Sequence, residues 1–264
     1  MTGGGSGIGR AIATLAARGG MKVALADVAC ERAEEVAGVL QEEGHNALAL
    51  TLDVRDSAAC EAAVSAIEAK LGPIDCMVAC AGISTPAPAE QMNDETWTRC
   101  MEVNLTGMFR SVQPAGRRML GRKHGAIVTV ASQDGLGGHA GRVHYSASKH
   151  GVIGLTRTLA IEWGRHGVRV NSVAPGVVDT PLVRENLPAD HVQYAMVDRV
   201  PMARLGQVEE QAGPVLFLLS DAANFVNGAV LTVDGGSSAG YFTRWNGADL
   251  GSRALQDAGV YGGP

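Results

Sequence analysis

The chain has 264 residues, of which 46% are apolar and 19% charged, enough to bury a full core and ordinary for one large α/β domain. Its formal net charge of −5, with lysines and arginines scattered, gives no basic stripe; nucleic acid and anionic membrane are excluded as expected partners, and small molecules come first. No apolar run reaches the roughly 18 residues of a membrane helix, and residues 1–10 lack the regions of a signal peptide, so the expected location is cytoplasmic.

Short β-rich runs recur along the chain at Val23 to Ala26, Ala47 to Leu52, Ile74 to Ala79, Ala126 to Ala131, Val168 to Val173 and Ala229 to Val233. They read as strands buried on both faces. Helical faces lie between them: Ile8, Ile12 and Leu15; Val36, Val39 and Leu40; Val64, Ile67 and Leu71; Val152, Leu155 and Leu159. Strand and helix in alternation predict a doubly wound parallel sheet of the Rossmann type, with ligands beyond the carboxyl ends of the strands. No repeat or linker divides the chain. Cys30, Cys60, Cys76, Cys80 and Cys100 are dispersed, without a Cys-x-x-Cys pair, and read as reduced, mostly core thiols, with no metal site expected.

Residues 2 to 9 read Thr-Gly-Gly-Gly-Ser-Gly-Ile-Gly and run straight into the first helical pattern. Glycines let the backbone turn tightly against a pyrophosphate, and the free N–H groups of a helix start favour its charge. Asp27 ends the next strand about twenty residues on, where a carboxylate accepts from ribose hydroxyls and repels a 2′-phosphate; NAD is expected over NADP. Asp53, at the end of the following strand, is expected either at the adenine edge or as a cap of the helix beginning near Asp56.

Ser132, Tyr145 and Lys149 form the most specific pattern. Tyr145 and Lys149, four residues apart, share a helix face, so the ammonium can reach the phenol. A phenol with a pKa near ~10 needs a nearby cation to take an alcohol proton near neutrality. Ser132 closes a strand, where its hydroxyl can meet an oxygen on which charge develops.

On these motifs residues 2 to about 236 resemble the short-chain dehydrogenase/reductase family. Its Thr-Gly-x-x-x-Gly-x-Gly pattern is matched by Thr2, Gly3, Gly7 and Gly9, its serine, tyrosine and lysine by Ser132, Tyr145 and Lys149, and its asparagine by Asn104. Pro175-Gly176 and Thr180 match the segment beside the nicotinamide, and Asp234-Gly235-Gly236 the C-terminal turn. The resemblance implies that tyrosine is the acid/base, serine orients substrate, lysine also binds the nicotinamide ribose, and asparagine holds a water in a proton relay. The expected cofactor site adds Ser6, Ile8, Asp27, Asp53, Val54, Ala81, Gly82 and Val178 to these residues, with Asn104, Tyr145 and Lys149 shared. Residues 1–236 are expected to form the dinucleotide-binding catalytic domain. The resemblance further implies a homotetramer, with residues 237–264, which carry Tyr241, Phe242, Trp245 and Tyr261, packed at a subunit interface.

Two departures stand out. The family's Asn-Asn-Ala-Gly reads Ala79-Cys80-Ala81-Gly82 here, so the loop is expected to lose side-chain ties, and Cys80 to be a buried thiol. The family also places an apolar strand ahead of Thr2, where this sequence has Met1; the expectation is that this central first strand is truncated.

Substrate is expected between Ser132, Tyr145 and the segments 82–90, 133–144 and 176–206. Gln133, Asp134, His139, Arg142 and His144 favour a polyol, sugar or small hydroxy compound. Leu182, Leu187, Tyr194, Met196 and Met202 favour a hydrophobic ketone or an acyl thioester. A non-catalytic NAD-binding regulator is the alternative from another class.

Overall fold

The computed structural model describes residues 1–240 together with Arg244–Trp245, Ala248–Asp249, Asp257 and Gly259. Its strands are β1 (Val23–Asp27), β2 (Ala47–Thr51), β3 (Cys76–Ala79), β4 (Gly125–Val130), β5 (Val168–Pro175) and β6 (Val230–Val233). The helices between them are α1 (Gly7–Arg18), α2 (Cys30–Glu42), α3 (Ser57–Leu71), α4 (Asp94–Met101), α5 (Gly107–Arg122), α6 (Val143–Gly164) and α7 (Pro181–Asn186). A further helix, Val208–Leu219, leads into β6.

All the strand pairings from β1 to β6 are parallel: β1 with β2 in one group, β3-β4-β5-β6 in the other. Thr2 stands between the groups and bridges Ala26 and Ala79, so the central place assigned to a strand ahead of the glycine turn is held by Thr2. Its N–H donates to the Val78 carbonyl at 3.0 Å, and the Ala26 N–H donates to the Met1 carbonyl at 2.9 Å. Beside these bonds, between β1 and β3, a cavity of about 70 Å³ is bordered by Met1, Ala24, Cys76 and Met77.

β4 is buried at every residue, because α5 and α6 cover one face of it and α1 with Val208–Leu219 the other. On the first face Ile127 packs with Met108, Val112, Met119 and Val152. On the second Val128 and Val130 pack with Ile12, Val173, Val215 and Leu218, the alternation that a pleated strand imposes. β6 lies at the sheet edge and leaves Leu231 exposed, contrary to uniform burial. Leu15 and Val39 also face outward. The buried faces of α1 and α2 keep the expected Ile12, Val36 and Leu40 and are completed by Ala13, Ala16, Ala17, Ala33 and Ala37, small side chains that let helix and sheet approach closely.

Asp56 caps α3, its carboxylate accepting from the N–H groups of Ala58 and Ala59 at 2.8 and 3.0 Å. Asp53 therefore does not cap this helix; Arg55 takes its carboxylate at 2.6 Å and holds its pKa below the ordinary range. Among the described residues no helix is long and apolar enough to cross a membrane. Of the C-terminal aromatics, Tyr241, Phe242 and Tyr261 lie outside the described residues; Trp245 belongs to a short antiparallel pairing of Arg244–Trp245 with Ala248–Asp249. The architecture is a single α/β domain of the Rossmann type, a parallel sheet with helices on both faces.

Candidate active site

The carboxyl ends of β1, β3, β4 and β5 open into a cavity of about 340 Å³. The glycine turn forms one wall. Gly3 and Gly7 have φ of 66° and 51°, left-handed conformations that glycine adopts without strain. A Cβ on Gly9 would stand 2.0 Å from the Gly3 carbonyl oxygen, so no side chain fits there. Ser6 makes no side-chain cap to α1. Gly3, Ser6, Gly7, Ile8 and Gly9 line the cavity, and the helix start that follows carries N–H groups without intrahelical partners.

Asp27 closes β1 at the same rim. Its Oδ2 accepts the Gly5 N–H at 2.9 Å and its Oδ1 the Ala29 N–H at 3.0 Å, so the carboxylate ties the glycine turn to the strand. Asp53, Val54, Ala81 and Gly82 continue the lining, and Pro175, Gly176, Val178 and Thr180 close it beyond β5. The Thr180 hydroxyl accepts the Val183 N–H at 3.3 Å and caps α7.

Thr2 lies behind this surface. Its hydroxyl accepts from the N–H groups of Cys80 and Ala81 at 3.2 and 3.3 Å, which ties the segment that lacks asparagine side chains. Cys80 is half-buried at the cavity lining rather than fully buried, and desolvation pushes its thiol up to about 11. Asn104 is also set back from the cavity wall. It sits in a π-helical turn, Glu102–Thr106, a local widening of the helix that often marks functional sites. Its Oδ1 accepts the Ile83 N–H at 2.8 Å, and its Nδ2 donates to the Ile83 carbonyl at 2.9 Å and to Ser148 Oγ at 3.2 Å. Asn104 thus fastens the segment after β3 to α6.

Ser132, Tyr145 and Lys149 share the opposite wall. Ser132 follows β4, and its Oγ accepts the Asp134 N–H at 3.1 Å. Lys149 Nζ donates to the Val130 carbonyl at 2.7 Å and stands 5.5 Å from the centre of the Tyr145 ring. Burial pulls the Lys149 ammonium down to about 8. Burial, with the Asp134 charge added, pushes the Tyr145 phenol up to about 12, against the lowering effects of the Ser132 hydrogen bond and the Arg142 charge. Proximity of the ammonium was expected to favour the phenolate; in this cavity desolvation outweighs it, and Tyr145 is held as a phenol.

On the substrate side Gln133, Asp134, His139 and Arg142 reach the cavity, with Leu182, Val183 and Met196 facing it from the α7 side. His144 does not: it is wholly buried beneath the wall, next to Thr85, and burial lowers its pKa. Leu187 and Met202 are likewise not in the wall; the Met202 N–H donates to the Gly235 carbonyl at 3.2 Å, turning that residue toward the 234–236 turn. The Tyr194 side chain lies outside the described residues. Arg99 and Val103, carried by α4 and the π turn, and Arg55 also line the cavity. No local motif announces Arg99 and Val103, because the packing of α4 and the π turn against α6 brings them to the site, whereas Arg55 follows directly on Asp53 and Val54 and is paired with Asp53.

Residues 3–238 match the family model described as enoyl-(acyl carrier protein) reductase. The chain is 45% identical over 240 residues to cis-4-hydroxycyclohexanecarboxylate dehydrogenase of Sinomonas cyclohexanicum, covering 90% of this chain and 95% of that one. It is 40% identical over 236 residues to D-threitol dehydrogenase of Mycolicibacterium smegmatis, covering 89% and 90%. A solved structure from Beutenbergia cavernae, a candidate NAD(P) dependent gluconate 5-dehydrogenase with bound NADP at low occupancy, superposes with a TM-score of 0.86 at 38% identity, covering 90% and 95%. With agreement running over nine-tenths of its length in sequence and in fold, the chain belongs to the short-chain dehydrogenase/reductase family.

Proposed function

We propose that the chain is an NAD-dependent dehydrogenase that interconverts a secondary alcohol and its ketone, the alcohol being a polyol, a sugar or another small hydroxy compound. The observation that carries this reading is the meeting of Tyr145, Ser132 and Lys149 on one wall of a cavity whose other wall is the glycine turn. The two relatives named for a cyclic hydroxy acid and a tetritol support the substrate class.

The residues fit a dinucleotide. Gly3, Ser6, Gly7, Ile8 and Gly9 present backbone to a pyrophosphate, Asp27 faces a ribose, and Asp53 and Val54 an adenine. Ala81 and Gly82 lie along the middle, and Pro175, Gly176, Val178 and Thr180 would hold the nicotinamide end. Thr2 supports this site from behind by fixing Cys80 and Ala81. Asp27 favours NAD, since a 2′-phosphate would meet a carboxylate already fixed by Gly5 and Ala29. When bound, the nicotinamide supplies the hydride acceptor.

The chain's own residues manage the proton. Tyr145 Oη takes it from the substrate hydroxyl, and Ser132 Oγ donates a hydrogen bond to the same oxygen. Lys149 sets positive charge beside the phenol and would hold the nicotinamide ribose. A phenol pushed up to about 12 needs more positive charge than Lys149 and Arg142 supply, which suits a cationic ring close by. Asn104 serves by holding Ile83 and Ser148 in place, next to the relay that the family resemblance assigns to it.

The same reading makes residues 1–236 the catalytic unit of a cytoplasmic homotetramer, with residues 237–264 at subunit contacts. The five free cysteines suit a reducing compartment. The reading is tested by NADH formation over polyols, sugars, hydroxy acids, steroid alcohols and hydroxyacyl thioesters, with NAD and NADP side by side. Turnover of small hydroxy compounds with NAD is expected; turnover with NADP alone contradicts the cofactor assignment. A second reading, reduction of a 3-oxoacyl thioester or hydrophobic ketone, is favoured by Leu182, Val183 and Met196 in the wall and requires activity confined to the thioesters or steroids.

A further inference from the structure

Arg142 precedes α6 and reaches the cavity beside Tyr145. It is 8% exposed, and no other arginine among the described residues is buried. Its guanidinium lies over the phenol ring, Cζ 5.6 Å from the ring centre. Elsewhere in the chain arginines meet carboxylates: Arg55 with Asp53, Arg110 with Glu102, Arg184 with Asp179 and Arg204 with Glu210. The Arg142 guanidinium has no hydrogen bond or ion pair with any described residue. A buried, unpaired cation is unfavourable unless something in the functional state pairs with it.

The neighbouring charges do not fill that role. Asp134, itself buried, turns toward His139, whose Nδ1 is 3.6 Å from its Oδ1. Lys149 is a second cation, engaged with the Val130 carbonyl. Arg99 lies in the same wall but is exposed. The buried guanidinium, five N–H donors in a planar fork, matches one carboxylate better than a doubly charged phosphate, because the other buried cation of this wall, Lys149, is already engaged with the Val130 carbonyl.

We propose that Arg142 is a specificity-determining residue that binds a carboxylate of the substrate, and that the preferred substrates are small hydroxycarboxylates and their oxo counterparts. This rests on the dehydrogenase reading above. The anion is fixed by Arg142 while the reacting hydroxyl lies against Tyr145 and Ser132, so one small molecule spans both groups. Leu182, Val183 and Met196 pack against its carbon skeleton.

Because Arg142 also acts on the charge state of Tyr145, binding is a cleaner readout than turnover. Calorimetry on the full chain, with and without NAD, compares cyclohexanecarboxylate with cyclohexanecarboxamide, probes of one shape that differ in charge. The carboxylate is expected to bind about 10-fold tighter or more, the scale of a charge-assisted bidentate pair. Arg142→Gln should abolish that preference and Arg142→Lys retain part of it, with NAD affinity unchanged in both and the melting temperature of Arg142→Gln no lower than that of the wild type. Absent carboxylate binding, equal affinity for the two probes, or a preference that survives Arg142→Gln overturns the proposal. Failure of the dehydrogenase reading shows differently: the wild type prefers the carboxylate probe, yet forms no NADH from any alcohol.

Discussion

Lys149 stands over the Tyr145 ring, 5.5 Å from its centre, with its ammonium bonded to the Val130 carbonyl at 2.7 Å. Both groups are buried, and burial pushes them in opposite directions, the phenol up to about 12 and the ammonium down to about 8. Each shift disfavours the charged form, so the site keeps its proton-transfer groups at a cost in stability.

That cost has a pH signature. The Lys149 pKa is depressed on folding from its ordinary 10.5 to about 8, so its contribution to stability is present above pH 10.5 and is lost as pH falls toward 8. Below that the penalty for burying the ammonium is complete. Lys149→Met should therefore raise the melting temperature at pH 7, by an amount equivalent to roughly 1–3 kcal/mol, while abolishing turnover. Thermal denaturation of both proteins at pH 7 and pH 10 reads this directly; the gap should narrow at the higher pH.

Asp27 holds Gly5 and Ala29 and also faces the cavity. Asp27→Ser should weaken NAD binding by about 10-fold and lower the discrimination against NADP, because one loop tie is weakened and the repulsive carboxylate is gone. Fluorescence titration with the two dinucleotides checks it; unchanged discrimination would remove Asp27 from the ribose site.

Thr2→Val deletes the acceptor for the N–H groups of Cys80 and Ala81 while nearly keeping the volume. Leaving these donors without a partner should cost about 1–3 kcal/mol, measured by urea unfolding. A substitution restoring asparagine at position 80 should recover little of it unless the new amide bonds across to a neighbouring loop.

The alternation of strands and helices was legible because β4 and β5 are buried on both faces and carry near-continuous apolar runs. Asp27, Ser132, Tyr145 and Lys149 were legible for a similar reason: each lies at a strand end or on one helix face whose place local spacing sets. Asn104 and Thr2 matched a pattern, but their side chains point into the supports of the wall, a matter of packing that spacing does not encode. Ile12, Val36 and Leu40 were read correctly, but Leu15 and Val39 were misread because alanines, weak in any hydrophobic pattern, complete the buried faces of α1 and α2. Arg142 was visible only as one polar residue among several. Its burial beside Tyr145 without a carboxylate depends on how residues 133–142 fold back over the cavity.

The assignment of Tyr145 as the proton acceptor is tested most directly by Tyr145→Phe, comparing NADH formation on the best alcohol of the panel with NAD affinity measured on the same protein. Loss of turnover by a factor of about 100 or more, with NAD affinity unchanged, is the expected result. Turnover at the wild-type rate would contradict it.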